Sequence, residues 1–354
     1  MLKMPHGMTE RDLERRLAEA LVETLERVPS LRVRPASRKS EGNLFDFAFH
    51  VTTPAERQVL ICEVKANGQP RYARQAIHQL LGCRQEHPAV YRVFLAPYIS
   101  PGAGALCRAE GVGYHDLAGN CRLAFGSTYI ERQGNLNPAA QKRELRSLYW
   151  PKAERALRVL LLHPGRFWKT QPLASEARIS LGQVANVKKL LGDREWVEVA
   201  DQGFRLTQPE ALLGEWASQY RQRSESIDLL SIENVAQIEA GLLRWARESG
   251  IAFALTEFSA AARLAPYVRH QRVTAYWGGD VETVKHTMNL KAAPSGSNVR
   301  LLVPHDEGVF YGVAEVHGMP VVCPVQAFLD LRGAGLRSED AANEILEQVL
   351  RRQW

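Results

Sequence analysis

From Pro151 to Leu206 the spacing of apolar residues switches from the helical period to the alternation of strands, with matching start and stop signals at each change. No other stretch restricts the fold of this chain so closely. Pro151 suits a first helical turn, and Ala156, Val159, Leu160 and Leu162 give the stripe of a helix that stops at His163-Pro164-Gly165. A short second helix is expected over Leu173 to Ala177. Ser180-Leu-Gly-Gln183 then reads as a capping box, in which the hydroxyl and the amide satisfy orphan backbone donors, and Val184, Val187 and Leu191 turn one face of a third helix inward. Trp196 to Ala200, a turn at Asp201-Gln-Gly203 and Phe204 to Leu206 follow as a hairpin.

Three helices and a hairpin in this order make a winged helix-turn-helix. Beginning at Ser180, the outward face of the third helix offers Gln183, Asn186 and Lys189, with Lys188 beside them. Amides can read adenine edges and lysines can meet phosphates, while Arg205 on the hairpin faces the backbone of the duplex. Double-stranded DNA is therefore the expected partner, although such a unit also serves in places only as a dimerisation scaffold. The charge agrees with a polyanionic partner. Lys plus Arg outnumber Asp plus Glu by 20 to 15 over residues 1–145 and by 13 to 8 over 146–223, whereas the remainder is acidic at 12 to 16.

At 354 residues the chain exceeds one ordinary core, and 45% hydrophobic with 24% charged residues is a globular composition. No apolar run approaches the ~18 residues of a membrane span. Met1 to Glu10 carries no apolar core of a secretory signal, so the cytoplasm is the expected compartment. Cys62, Cys83, Cys107, Cys121 and Cys323 are odd in number and contain no C-x-x-C pair, which points to packed free thiols.

Before the winged helix, Leu13, Leu17, Leu21 and Leu25 mark a helix over Glu10 to Val28. Strands are expected at Leu31 to Arg34, Leu44 to Val51 and Gln58 to Ala66, then a helix from about Tyr72 to Glu86 and a strand at Val90 to Leu95. A further helix and a last strand follow, on either side of Gly111 to Asn120. This order outlines an α/β sandwich over residues 1–132. Gln133 to Glu144 reads as a linker to a winged-helix domain at 145–222, and Arg223 to Ser231 as a second, looser boundary. The third domain, 232–354, mixes helices with short strands such as Val299 to Val303 and Val321 to Cys323, and ends in a helix from Ser338.

Strand alternation separates Asp46 from Phe45, Phe47, Phe49 and Val51, and sets Glu63 and Lys65 on one face with Val59 and Ile61. A hairpin would bring two carboxylates and an ammonium together, and hard oxygen ligands suit Mg²⁺ or Mn²⁺. On spacing alone, a solvated sheet face is the commoner meaning of such a pattern. In context, Asp46 and Glu63-x-Lys65, with a helix before them and a Gln-bearing helix from Gln69 to Gln79 after them, resemble the PD-(D/E)XK nucleases over residues 9 to 130. The resemblance implies Asp46 and Glu63 as metal ligands, Lys65 as a catalytic lysine supported by Gln75, and Glu14 or Glu19 as a further acid. Phe45 departs from it, standing where that pattern often has proline.

The winged helix with its trailer Thr207 to Ala217, then Leu255 to Ala261, and finally Cys323 to Leu331, is similar in order to the AbiEi family, antitoxin regulators of type IV systems. The resemblance implies repression of the chain's own promoter and a genetically linked nucleotidyltransferase-like toxin counteracted without a complex. It also implies that the last domain is a nucleotidyltransferase-like fold without activity. Glu257-Phe258-Ser259 lacks the glycine of a phosphate loop, and Arg272 to Trp277 lacks an acid-x-acid pair. His270, His286, His305 and His317 have no ligand spacing, and Asp330 is expected to cap or pair structurally. The fold class expected is thus α/β and α+β multidomain, for a DNA-binding transcriptional regulator. The alternative is a Mg²⁺-dependent nuclease targeted by its winged helix.

Overall fold

The computed structural model describes residues 9–38, 45–54, 56–83, 90–135, 148–266, 270–293, 295–332 and 336–354. Two compact units account for it: Met1–Arg146 with Lys189–Glu195, and Ser147–Lys188 with Trp196–Trp354.

The first unit opens with α1 (Glu10–Glu26), started by a reciprocal cap between Thr9 and Asp12. Then come β1 (Arg32–Arg38), β2 (Phe47–Thr52), β3 (Arg57–Val64), α2 (Pro70–Gly82), β4 (Val90–Ala96), α3 (Pro101–Ala109), β5 (Gly113–Asp116), β6 (Cys121–Phe125) and β7 (Thr128–Arg132). The seven strands lie side by side in chain order. β3, β4 and β5 run parallel, joined by crossovers that contain α2 and α3, while the flanking strands are antiparallel hairpins. On one face the leucines of α1 pack against Phe47, Phe49, Val51, Leu60, Cys62, Val93 and Leu95. On the other, Ala73, Ala76, Ile77 and Leu80 of α2 cover Ala48, Ile61 and Phe94.

Two details differ from the sequence reading. Phe45 packs with Ala48 in the α2 cluster, because β2 starts at Phe47 and residues 45–46 form a bend, so the alternation does not reach back to it. Instead of one last strand there is a hairpin, β6 and β7, turning at Gly126 with φ +52°. Most of the expected linker, residues 136–144, lies outside the described residues.

The second unit contains α4 (Pro151–Leu162), α5 (Thr170–Ala177), α6 (Leu181–Asp193, of which 189–193 cluster with the first unit), β8 (Val197–Ala200), β9 (Gly203–Leu206) and α7 (Pro209–Gln219). The chain continues through β10 (Glu225–Leu230), α8 (Val235–Ser249), β11 (Phe253–Leu255), α9 (Glu257–Leu264), β12 (Val273–Trp277), α10 (Val281–Thr287), β13 (Lys291–Ala292) and β14 (Val299–Val303). It closes with β15 (Ala314–Val316), β16 (Met319–Val321), α11 (Pro324–Leu331) and α12 (Leu336–Ile345), which runs on into a turn of π-helix at Leu346–Leu350. A seven-stranded mixed sheet has the order β13-β10-β14-β12-β11-β16-β15. Arg223 to Ser231, expected as a loose boundary, contains β10, which pairs with both β14 and β13 inside that sheet.

α4 joins this unit through charges rather than through its apolar stripe alone. Arg155 forms a two-pronged pair with Asp306 (2.8 and 3.0 Å) and reaches Glu307, and Glu154, 3% exposed, pairs with Arg223. Arg158, 2% exposed, donates to Gln326 Oε1 and lies over the Trp216 ring. Buried guanidinium groups are tolerated only when so paired.

Candidate functional site

In the first unit, Asp46 is held across the end of β3. Its N–H donates to Cys62 O (2.9 Å) and its Oδ2 accepts the N–H of Val64 (2.8 Å), so Asp46 brackets Glu63, the residue between them. Both acids are buried, at 7% and 3% exposure. Beside Asp46, burial first and the Asp46 charge second push the Cys62 thiol well above its usual range. Lys65 Nζ donates to Glu63 Oε1 and to Gln79 Oε1, both at 2.5 Å. Thus Gln79, one turn beyond the expected Gln75, is the helix residue bonded to the lysine. The i, i+4 spacing of the two glutamines on α2 gave sequence reasoning equal grounds for either, because it could not know where the helix started relative to β3. Gln75 is exposed and lines the same open pocket, of about 470 Å³, together with Lys65, Arg74, His78 and Gln79.

The donor pattern in that pocket has a definite polarity. An ammonium can only donate, so Gln79 presents its oxygen to Lys65 and its NH₂ elsewhere. Of the three Lys65 donors, two are used by Glu63 and Gln79. Two buried carboxylates beside a lysine are a donor set that a hard divalent cation fits, with water and phosphate oxygens completing its shell. Among the described residues no group of three or more His, Cys, Asp or Glu side chains could hold a metal, so neither Glu14 nor Glu19 adds a third acid to this pair. Glu19 is exposed and lies 4.0 Å from Arg15.

In the second unit, Ser180 Oγ accepts the N–H of Gln183 (3.2 Å) at the start of α6, and Val184, Val187 and Leu191 are buried. Gln183 and Asn186 are half-buried, and their side-chain amides make no hydrogen bond among the described residues. The cations are already engaged. Lys188 Nζ sits over the Phe204 ring, Lys189 pairs with Asp193, and Arg205 pairs with Glu198 while lying over Phe167. The hairpin is fastened along β9, where Trp168 and Phe204 exchange backbone bonds of 2.8 and 3.0 Å. Arg166 stacks on Trp168, a basic and aromatic contact that the sequence pattern did not single out.

At the far end of this unit Glu257 stands first in α9 with φ +46°, a left-handed conformation that glycine adopts without strain. Burial first, then Asp330, raise its carboxyl to about 7, against the lowering influence of Arg300, Arg272 and Thr274. Asp330 is buried and accepts from Thr256, Tyr220, Tyr276, Gln326 and Gln222, a structural network. Where paired acids would be needed for metal, Arg272 and Arg300 instead converge on Asp228. His270 contacts Glu239, and the other three histidines enter no metal-holding group among the described residues. All five cysteines are free and buried.

The second unit is thus a three-helix module with a hairpin, built onto a mixed α/β sheet domain. Residues 205–351 match the family described as transcriptional regulator, AbiEi antitoxin, type IV toxin–antitoxin system. No match is found among curated proteins. Among solved structures, the chain is similar to a repair endonuclease from Pyrococcus abyssi, with 16% identity, a TM-score of 0.23, and 32% of this chain and 49% of that one covered. EndoMS in its apo form gives 18% identity and a TM-score of 0.21, with 28% and 45% covered, and EndoMS in complex with double-stranded DNA gives 19%, 0.21, 29% and 44%. The chain spans about half the length of these endonucleases, and likeness at such scores carries no functional weight. No described helix is long and apolar enough to cross a membrane.

Proposed function

We propose that this chain is a sequence-specific DNA-binding transcriptional regulator of the antitoxin kind, acting in the cytoplasm and contacting duplex DNA through α6 and the β8–β9 hairpin as a winged helix-turn-helix. The observation that carries the reading is α6 itself: its apolar side is filled while Gln183 and Asn186 keep unspent amides, the groups that pair with adenine edges. The match of residues 205–351 to a family of transcriptional regulators supports it. Lys188, Lys189 and Arg205 hold the phosphates, and the exposed ion pair on Arg205 gives way to a polyanion because such pairs are worth only ~0–1 kcal/mol. A linked nucleotidyltransferase-like toxin completes this reading. The domain at 232–354 is inactive in it, since Glu257-Phe258-Ser259 lacks the glycine of a phosphate loop and Arg272 to Trp277 lacks an acid-x-acid pair.

A second reading rests on the Asp46, Glu63, Lys65 and Gln79 arrangement, which favours a Mg²⁺-dependent nuclease in the PD-(D/E)XK manner. There Asp46 and Glu63 would hold the ion, which supplies charge stabilisation at phosphate, while Gln79 keeps Lys65 oriented beside Glu63. One experiment addresses both: binding and cleavage of the chain's own upstream DNA, with and without Mg²⁺ or Mn²⁺. Replacing Lys188 and Lys189 by Ala should weaken binding to all sequences. Gln183→Ala or Asn186→Ala should change preference among sites by about 1 to 3 kcal/mol. Wild-type binding by all three variants would overturn the regulator reading, and cleavage that survives Glu63→Ala would overturn the nuclease reading.

A further inference from the structure

We infer that the first unit carries its own docking surface for duplex DNA, on the β1–β2 half of the sheet face that also holds Glu63. Register defines it. Arg32 opposes Thr52 and Arg34 opposes His50 across β1 and β2, while Thr52 opposes Arg57 across β2 and β3. Directly opposed residues share a face, so Arg32, Arg34, His50 and Arg57 lie together on the side of Ala48, opposite the leucines of α1. α2 covers β3 and β4 on this side and leaves the β1–β2 ribbon open, with all four residues exposed.

The surface is unbalanced in charge. Arg34 and Arg57 have no hydrogen bond or ion pair among the described residues, and Arg32 donates only to the carbonyls of Pro29 and Leu31. By contrast Arg15, Arg27 and Arg108 elsewhere in this unit are paired with carboxylates. β1, β2 and α2 contain no acidic residue at all. Glu56, in the nearby turn, is bonded to Gln58, whose strand position points to the α1 face. A row of arginines with no carboxylate partner among the described residues, on an edge ribbon, is complementary to a phosphate backbone. Arg32 and Arg34 are two residues apart, about 7 Å along the strand, and Asp46 lies in the bend just before β2 begins at Phe47. A duplex lying along the ribbon would therefore run toward the acid pair.

This inference rests on the reading of the chain as a DNA-binding protein and adds a second contact region to it. The test uses the full chain and a 40-bp duplex, titrated by fluorescence anisotropy across a salt series, with duplex RNA and polyglutamate as parallel probes. Arg32→Gln, Arg34→Gln and Arg57→Gln combined should lower DNA affinity about 10- to 100-fold near physiological salt and flatten the salt slope by up to ~2.7, at ~0.9 per lost phosphate contact. Thermal melting of the triple variant should match wild type, and Arg34→Gln alone should give a smaller loss in the same direction. An unchanged slope in the triple variant, alongside weakened binding by the Lys188 and Lys189 variant, would overturn the inference and leave the DNA reading intact. Loss of binding only to RNA or polyglutamate would also overturn it. A wild-type chain that binds no duplex would remove both.

Discussion

At the scale of single residues, chemistry and position often disagree, and Glu257 is the clearest case. As a glutamate it should be charged and exposed, yet its backbone is left-handed and its carboxyl is raised to about 7 by burial and by Asp330. Because the folded state holds the proton more tightly than the unfolded chain, whose ordinary value is 4.5, the stabilisation is complete below about pH 4.5. It is lost as pH rises through 7, to a limit of about 3 kcal/mol. Every tryptophan, from Trp150 to Trp354, lies in the second unit, so tryptophan fluorescence follows this unit alone. Urea titrations at pH 5 and pH 8 should show the wild type more stable at pH 5 by part of that amount and Glu257→Gln nearly indifferent. Equal pH dependence in the two proteins would disprove it. In the first unit Asp46 lies in the bend before β2 rather than on a strand, and the amide bonded to Lys65 is Gln79 rather than Gln75.

At the scale of elements, the three-helix module depends on backbone approaches that sequence periodicity cannot express. Gly203 opens β9 at φ +133°, and a Cβ there would lie 2.3 Å from the carbonyl oxygen of Trp168. Gly203→Ala should therefore detach the hairpin from Trp168 at a cost of about 1 to 3 kcal/mol and reduce DNA affinity. Gly182, in α6, meets nothing within 4 Å, so Gly182→Ala should instead stabilise by about 0.5 to 1 kcal/mol. Differential scanning calorimetry separates the two, and similar melting temperatures for both variants would refute the role given to Gly203. Helix starts were legible where their signals are local, as at Pro151 and Ser180. The β6–β7 hairpin was not, because Gly126-Ser127 is a weak turn signal between the two short strands.

At the scale of the whole molecule, the three-helix module and the sheet domain after it share buried charge. Arg155 and Arg158 on α4 depend on Asp306 and Gln326, more than 140 residues later in the chain. Breaking a buried pair by removing one partner costs about 3 to 5 kcal/mol. A fragment of residues 147–222 should therefore fail to fold cooperatively, whereas 147–354 should melt in one transition by circular dichroism; a stably folded short fragment would contradict this. The amino-acid sequence alone determined what local physics can determine: helix starts, the three helices and hairpin after Pro151, and the common side of Glu63 and Lys65. Periodicity, caps and alternation act within a few residues, and they survive without knowledge of the partner. Tertiary structure alone decided which glutamine meets Lys65, that β10 lies inside a sheet where a boundary was expected, and that Arg32, Arg34, His50 and Arg57 share one exposed face. Each of these depends on register between distant strands, where a slip of one residue exchanges the two faces.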